Sequence, residues 1–215
     1  MKFGKHSLAF LSMLLLGAAA FLGGCATTGM DRSVKASNSI RDVDNEIRKM
    51  IVQIDVTAAS LDSLVSAGQP DLKKSFDSYS KNLTHLESEG KKVIKRTEEM
   101  KARNNEYFAE WEKQGESFTN PEIRELSAER RIKLAEIYAR VPAAGAGINR
   151  TYQTYLTDLK EIQKYLSTDL TRNGVDAIAP VAQKSVQHLA DLKLSLNPVI
   201  IALDEIKAEL YIKKK

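Results

Sequence analysis

The chain has 215 residues and a formal net charge of +4, from 32 basic and 28 acidic residues. Charges of both signs are interspersed, as on a solvated helical surface, so bulk charge gives a nucleic-acid partner no support. The single cysteine excludes an intramolecular disulfide, and 11 glycines and 5 prolines leave few breaks in the chain.

Lys2 and Lys5 form a short basic start, followed by an apolar run from Leu8 to Leu22. Those 15 residues fall short of the ~20 needed to cross a bilayer. A basic start, a short apolar run and small residues at its end predict a secretory signal peptide over residues 1–24. Leu22-Gly23-Gly24-Cys25 sets a branched apolar residue and two small ones before the only cysteine. This stretch resembles the lipobox of bacterial lipoproteins. The resemblance implies cleavage before Cys25 and acyl chains on its thiol and amine; the plainer reading is an ordinary signal with an incidental cysteine. One acyl chain holds a protein marginally, whereas two or more hold it stably. Residue 26 is Ala, not Asp, and the same resemblance then implies the outer membrane. Cleavage would leave 215 − 24 = 191 residues and, without Lys2 and Lys5, a net charge of +2.

Residues 25–32 read as the lipidated cysteine and a polar tether, and 33–210 as a helical body. Ile40, Val43, Ile47, Met50, Ile54, Thr57, Leu61 and Leu64 recur at 3–4 spacing, which predicts a helix over 33–67. Gly68 and Pro70 punctuate its end. A second helix is expected over 70–114, on a stripe running from Phe76 and Tyr79 to Tyr107 and Trp111. Glu87–Lys91 and Glu99–Arg103 stand in the favourable i,i+4 order. Asn120 suits an N-cap and Pro121 a first helical position, which starts a third helix over 121–170. Pro142 lies inside it, followed by Ala-Ala-Gly-Ala-Gly, and predicts a kink rather than a stop. Asn173-Gly174 is a turn signal. A fourth helix is expected over 175–210, with seams at Val175, Ala182, Leu189, Leu196, Leu203, Leu210 and at Ile178, Leu192, Val199, Ile206. Residues 211–215 form a basic tail.

These elements predict an all-α fold: an elongated antiparallel four-helix bundle or coiled coil. Helices 2 and 3 outrun helices 1 and 4 by about ten residues, or ~15 Å. A hairpin at Glu106–Arg131 therefore protrudes at the end carrying Cys25 and Lys215. A tether of eight residues reaches up to ~26 Å, enough to fit the tip between body and bilayer. Pro142 and Pro198 fall at nearly one height, which predicts a concerted bend.

Phe108-x-Glu110-Trp111-Glu112, Asn120-Pro121-Glu122-Ile123-Arg124 and the helix carrying Leu134 and Tyr138 form one set. The set resembles an uncharacterised bacterial envelope family, known only as domain of unknown function twenty-nine fifty-nine. The resemblance covers roughly residues 38–206 and implies an all-helical body with no known activity.

Catalytic signals are weak. His6 leaves with the signal peptide; His85 and His188 each flank a leucine stripe and read as boundary residues. No Glu-x-x-His pair occurs and no acidic residue holds a stripe position, so a di-iron site is disfavoured. No thiol remains for nucleophilic catalysis and no glycine-rich phosphate loop occurs. No catalytic residue, metal site, cofactor or small-molecule substrate is therefore expected, beyond the covalent lipid on Cys25. Phe108, Trp111 and Phe118 are candidates for an interface at the tip, with core packing the plainer reading. Lys215 follows Tyr211 and two lysines in a way that resembles the murein lipoprotein, whose terminal lysine is linked to peptidoglycan. The expectation is a non-enzymatic outer-membrane lipoprotein with its body in the periplasm. It would act as a scaffold or spacer toward an envelope protein partner. The alternatives are a membrane-inserting or remodelling protein, using 142–147 with 199–203, and a peptidoglycan tether through Lys215.

Overall fold

The computed structural model describes residues 29–66, 68–145 and 147–210. Among them every regular element is a helix: α1 (Gly29–Val65), α2 (Leu72–Glu116), α3 (Pro121–Gly145), α4 (Ile148–Thr168) and α5 (Arg172–Leu210). The protein is all-α. Leu22, Gly23, Gly24, Cys25 and Lys215, like the basic tail, lie outside the described residues.

The apolar stripes form the core. On α1, all eight residues from Ile40 to Leu64 that mark the heptad stripe are buried. Tyr79, Leu83, Leu86, Gly90, Met100 and Asn104 are buried on α2. Burying one such apolar side chain contributes ~1.5–3 kcal/mol, so these rows rather than helix propensity hold the helices. The helix starts follow local chemistry. The Asp71 carboxylate accepts from Lys74 N at 2.9 Å to cap α2, and Asn120 Oδ1 accepts from Glu122 N at 2.9 Å to cap α3. Gly68 has φ 77°, the left-handed region that glycine enters without steric cost.

Three expectations are corrected. Residues 29–32, read as tether, belong to the first turn of α1, where Asp31 meets the positive end of the helix. The third expected helix is present as α3 and α4. It passes through Pro142 but stops at Gly145, because the lost hydrogen bond of the proline is followed within five residues by two glycines of poor helix propensity. Asn173 and Gly174 lie inside α5 rather than in a turn. A Cβ at Gly174 would stand under 3.0 Å from Asp169 O, so this glycine is required by a close backbone approach. Among the surface pairs, Lys91 meets Glu87 at 3.4 Å, whereas Glu99 turns back to Arg96 at 2.7 Å.

Contacts between α1 and α2 move in opposite directions along the two helices. Thr57 bonds Asn82 O at 3.2 Å, and further along Glu46 acts on Lys92 and Asp42 on Arg96. α2 meets α4 through Tyr79 Oη, which donates to Leu159 O at 2.6 Å, and Tyr152 Oη, which donates to Leu86 O at 3.1 Å. α5 meets α4 at Thr151–Ser195 (2.9 Å), α3 at Arg140–Glu205 (2.7 Å) and α1 at Lys207–Asp44 (3.0 Å). The contacts thus close a circuit around the core. At one end Arg172 donates to Gln69 O and ties the α1–α2 and α4–α5 connections together.

Candidate functional site

Two surfaces depart from plain core-and-rim packing, and the hairpin between α2 and α3 is the first. Its root is an aromatic cluster. Phe108 packs edge-on against Tyr138 with ring centroids 5.2 Å apart, and Tyr107 lies 5.2 Å from Phe108 and 5.6 Å from Trp111. Trp111 Nε1 donates to Ser127 Oγ at 2.9 Å, and Arg131 pairs with Glu112 at 2.9 Å. Burial pushes the Tyr138 hydroxyl pKa well above its ordinary value, with Tyr107 adding to it.

Beyond the root the hairpin is bare. From Glu112 to Leu126 every residue except Gly115 is exposed. Phe118 is 38% exposed, Ile123 47% and Leu126 66%. The turn is nevertheless well built: the Arg124 guanidinium donates to Phe118 O at 2.7 and 3.2 Å, and Asn120 caps α3. The structure therefore separates the three sequence candidates. Phe118 stands on the tip, while Phe108 and Trp111 are half-buried in the cluster beneath it. Ile123 and Leu126 join Phe118. The sequence reading missed them because the α3 stripe is weak before Leu134, and their 3-residue spacing looked like ordinary helical texture.

The second surface is a groove of about 340 Å³ between α2 and the α3–α4 break, at the small end of the range for ligand pockets. Val43, Ile47 and Met50 of α1 and Leu196 and Val199 of α5 floor it, and Lys101 and Glu98 stand at its rim. Lys101 Nζ is 2.8 Å from Glu98 Oε1, so the rim charges cancel. Tyr152 closes one end, and a Cβ at Gly90 would stand under 3.0 Å from its ring and hydroxyl. Burial, then the nearby Glu87 charge, pushes the Tyr152 hydroxyl up to about 12, so it is a neutral donor. Gly145 faces Val199 at 3.9 Å from a built Cβ, so the break lies beside the residue that follows Pro198.

Several ionisable groups are engaged in structural pairs. Asp44 is buried beside the α1 stripe, though not at one of its positions. Burial works to raise its carboxyl, but hydrogen bonds and charge from Arg48 and Lys207 outweigh this and hold it below the usual carboxylate range. His188 bonds Asp158, and His85 is exposed. Among the described residues no group of three or more His, Cys, Asp or Glu is placed to hold a metal ion. None of the described helices is long and apolar enough to cross a membrane.

A family model described as "Protein of unknown function (DUF2959)" matches residues 29–210. The chain belongs to this family. The match runs from the first residue of α1 to the last of α5. The DUF2959 body is thus the helical circuit with its hairpin, and membership says nothing of Cys25. No curated protein and no solved structure matches the chain.

Proposed function

We propose that this DUF2959 chain is a non-enzymatic outer-membrane lipoprotein. Acyl chains on Cys25 hold it, and its body serves in the periplasm as a scaffold or spacer toward an envelope protein partner. In this reading the helices make an elongated antiparallel four-helix bundle, with α3 and α4 sharing one place and the α2–α3 hairpin projecting from one end. The observation that carries the reading is the position of Gly29. The chain is already helical at Gly29, four positions after Cys25 (29 − 25), so a lipid there would hold a preformed helix close to the bilayer. At 1.5 Å per residue the 45 residues of α2 extend ~67 Å, a length suited to reaching across part of an envelope compartment.

The remodelling alternative draws less support. Val199, Ala202 and Leu203, which it would release into lipid, are buried in the core. A tether through Lys215 meets a geometric difficulty. Glu209 pairs with Arg130 at the root of the hairpin, so α5 ends on the side where α1 starts, and a tether through Lys215 would leave the body from the same side as the anchor.

Fractionation of cells expressing the full chain and its Cys25→Ala variant tests the proposal. The wild type is expected in the outer membrane and the variant soluble in the periplasm. Equal partition of both into the soluble fraction would refute the anchor.

A further inference from the structure

We infer that the α2–α3 tip, led by Phe118, Ile123 and Leu126, is seated in the lipid interface of the bilayer that holds the protein. The inference rests on the Cys25 anchor and follows from a comparison of two lengths. Asp42 acts on Arg96, and the two helices run in opposite directions. Carrying that register thirteen residues further (42 − 29) sets Gly29 beside Ala109 (96 + 13). α2 continues past that level to Glu116, and the turn holds Phe118 nine residues beyond Ala109 (118 − 109). At 1.5 Å per residue the seven helical steps from Ala109 to Glu116 (116 − 109) project ~10–11 Å beyond the start of α1, with the turn above them.

The segment between anchor and body must span the same distance. Three residues lie between Cys25 and Gly29, and even fully extended the four steps from Cys25 to Gly29 reach only ~13–14 Å. A tether running to residue 32 would clear the tip; one ending at Gly29 does not. With the body upright, Cys25 at full extension clears the end of α2 by only ~3 Å, about the height of the turn, and the tip passes it as the segment shortens.

The surface that arrives there suits lipid. Phe118, Ile123 and Leu126 are exposed on a turn fixed by Arg124 and Asn120, so little order is lost on docking. Lys113 and Arg124 stand against Glu116, Glu122 and Glu125, so the tip has no excess of basic charge to seek anionic lipid. Its apolar side chains carry the contact, and a zwitterionic head-group layer fits it.

The test uses the full lipidated chain in vesicles of phosphatidylethanolamine and phosphatidylcholine, the latter brominated near the head-group end of its acyl chains. In a Trp111→Phe background, tryptophan is placed by Ile123→Trp, separately by Leu126→Trp, and as a control by Val181→Trp, exposed at the start of α5. Both tip variants are expected to float with the vesicles, emit blue-shifted light and lose most of it to bromine, while the control stays unquenched. Helicity by circular dichroism confirms that each is folded, and either tip site suffices if the other perturbs the turn. Flotation with unquenched tip sites would overturn the inference and leave the anchor standing. Quenching of the control as strongly as the tip would show a body lying flat and overturn it also. Failure to float would remove the anchor and the inference with it.

Discussion

The Asp44 carboxylate on α1 accepts a 3.0 Å hydrogen bond from the Lys207 ammonium on α5, across 163 positions of chain. Arg48 adds bonds at 3.1 and 3.2 Å to the same carboxylate, and Asp204 takes both cations on their outer side. A charge this buried is tolerated because both its partners are in place. Its folded pKa lies below the unfolded value of about 3.9. The stabilisation is therefore present above that value and lost as pH falls through the folded pKa. Urea midpoints should decline below about pH 4, and Asp44→Asn should both flatten that decline and cost about 1–3 kcal/mol at pH 7. An unchanged acid slope in the variant would assign the decline to other carboxylates, Glu87 and Glu209 among them.

Gly90 gives a second prediction, because the Tyr152 hydroxyl and ring occupy the space of its missing Cβ. Alanine is usually the better helix former by ~1 kcal/mol. Here the methyl must displace a buried ring bonded to Leu86 O, and overpacking of this kind costs ~1–3 kcal/mol. Gly90→Ala should be net destabilising by up to about 2 kcal/mol in denaturant titrations. Combined with Tyr152→Ala it should cost less than the sum of the two single variants, since the clash is then gone. Strict additivity would mean that α2 and α4 do not approach as described.

At the hairpin root, Ser127→Ala removes the partner of the half-buried Trp111 indole at 2.9 Å. The loss should be about 1 kcal/mol. It should also shift the emission of Trp111, the only tryptophan. A variant with unaltered emission and stability would show that the indole is served by solvent instead.

Much of the body was legible because heptad rows report burial directly. Every stripe residue read on α1 is buried, and Asn120 caps α3 as its position suggests. What was not legible depends on pairs distant in sequence. Asp44 reads as surface until Lys207 is set beside it by α5. Gly90 reads as a small stripe member until Tyr152 is laid over it. The groove exists only because the α3–α4 break falls opposite α2. Ile123 and Leu126 required the opposite knowledge, that nothing covers them. The start of α1 at Gly29 was hidden because Gly-Met-Asp-Arg has the composition of a tether, and position within a continuing helix outweighed that local preference.

The break itself yields the last prediction. Gly147 has φ −83° and ψ −23°, a conformation any residue adopts, and a Cβ built there meets nothing within 4 Å. Substitution by alanine therefore introduces no clash and removes freedom from the unfolded chain. Gly147→Ala should stabilise by about 0.4–1 kcal/mol, the opposite sign from Gly90→Ala at a glycine of the same sequence texture. Amide exchange gives a second readout. Thr151 N reaches Gly147 O at 3.3 Å, a long bond at the first turn of α4, and its exchange should slow in the variant. Destabilisation by Gly147→Ala would mean that the break needs the conformational freedom of a glycine there, beyond the poor helix propensity that helps to end α3.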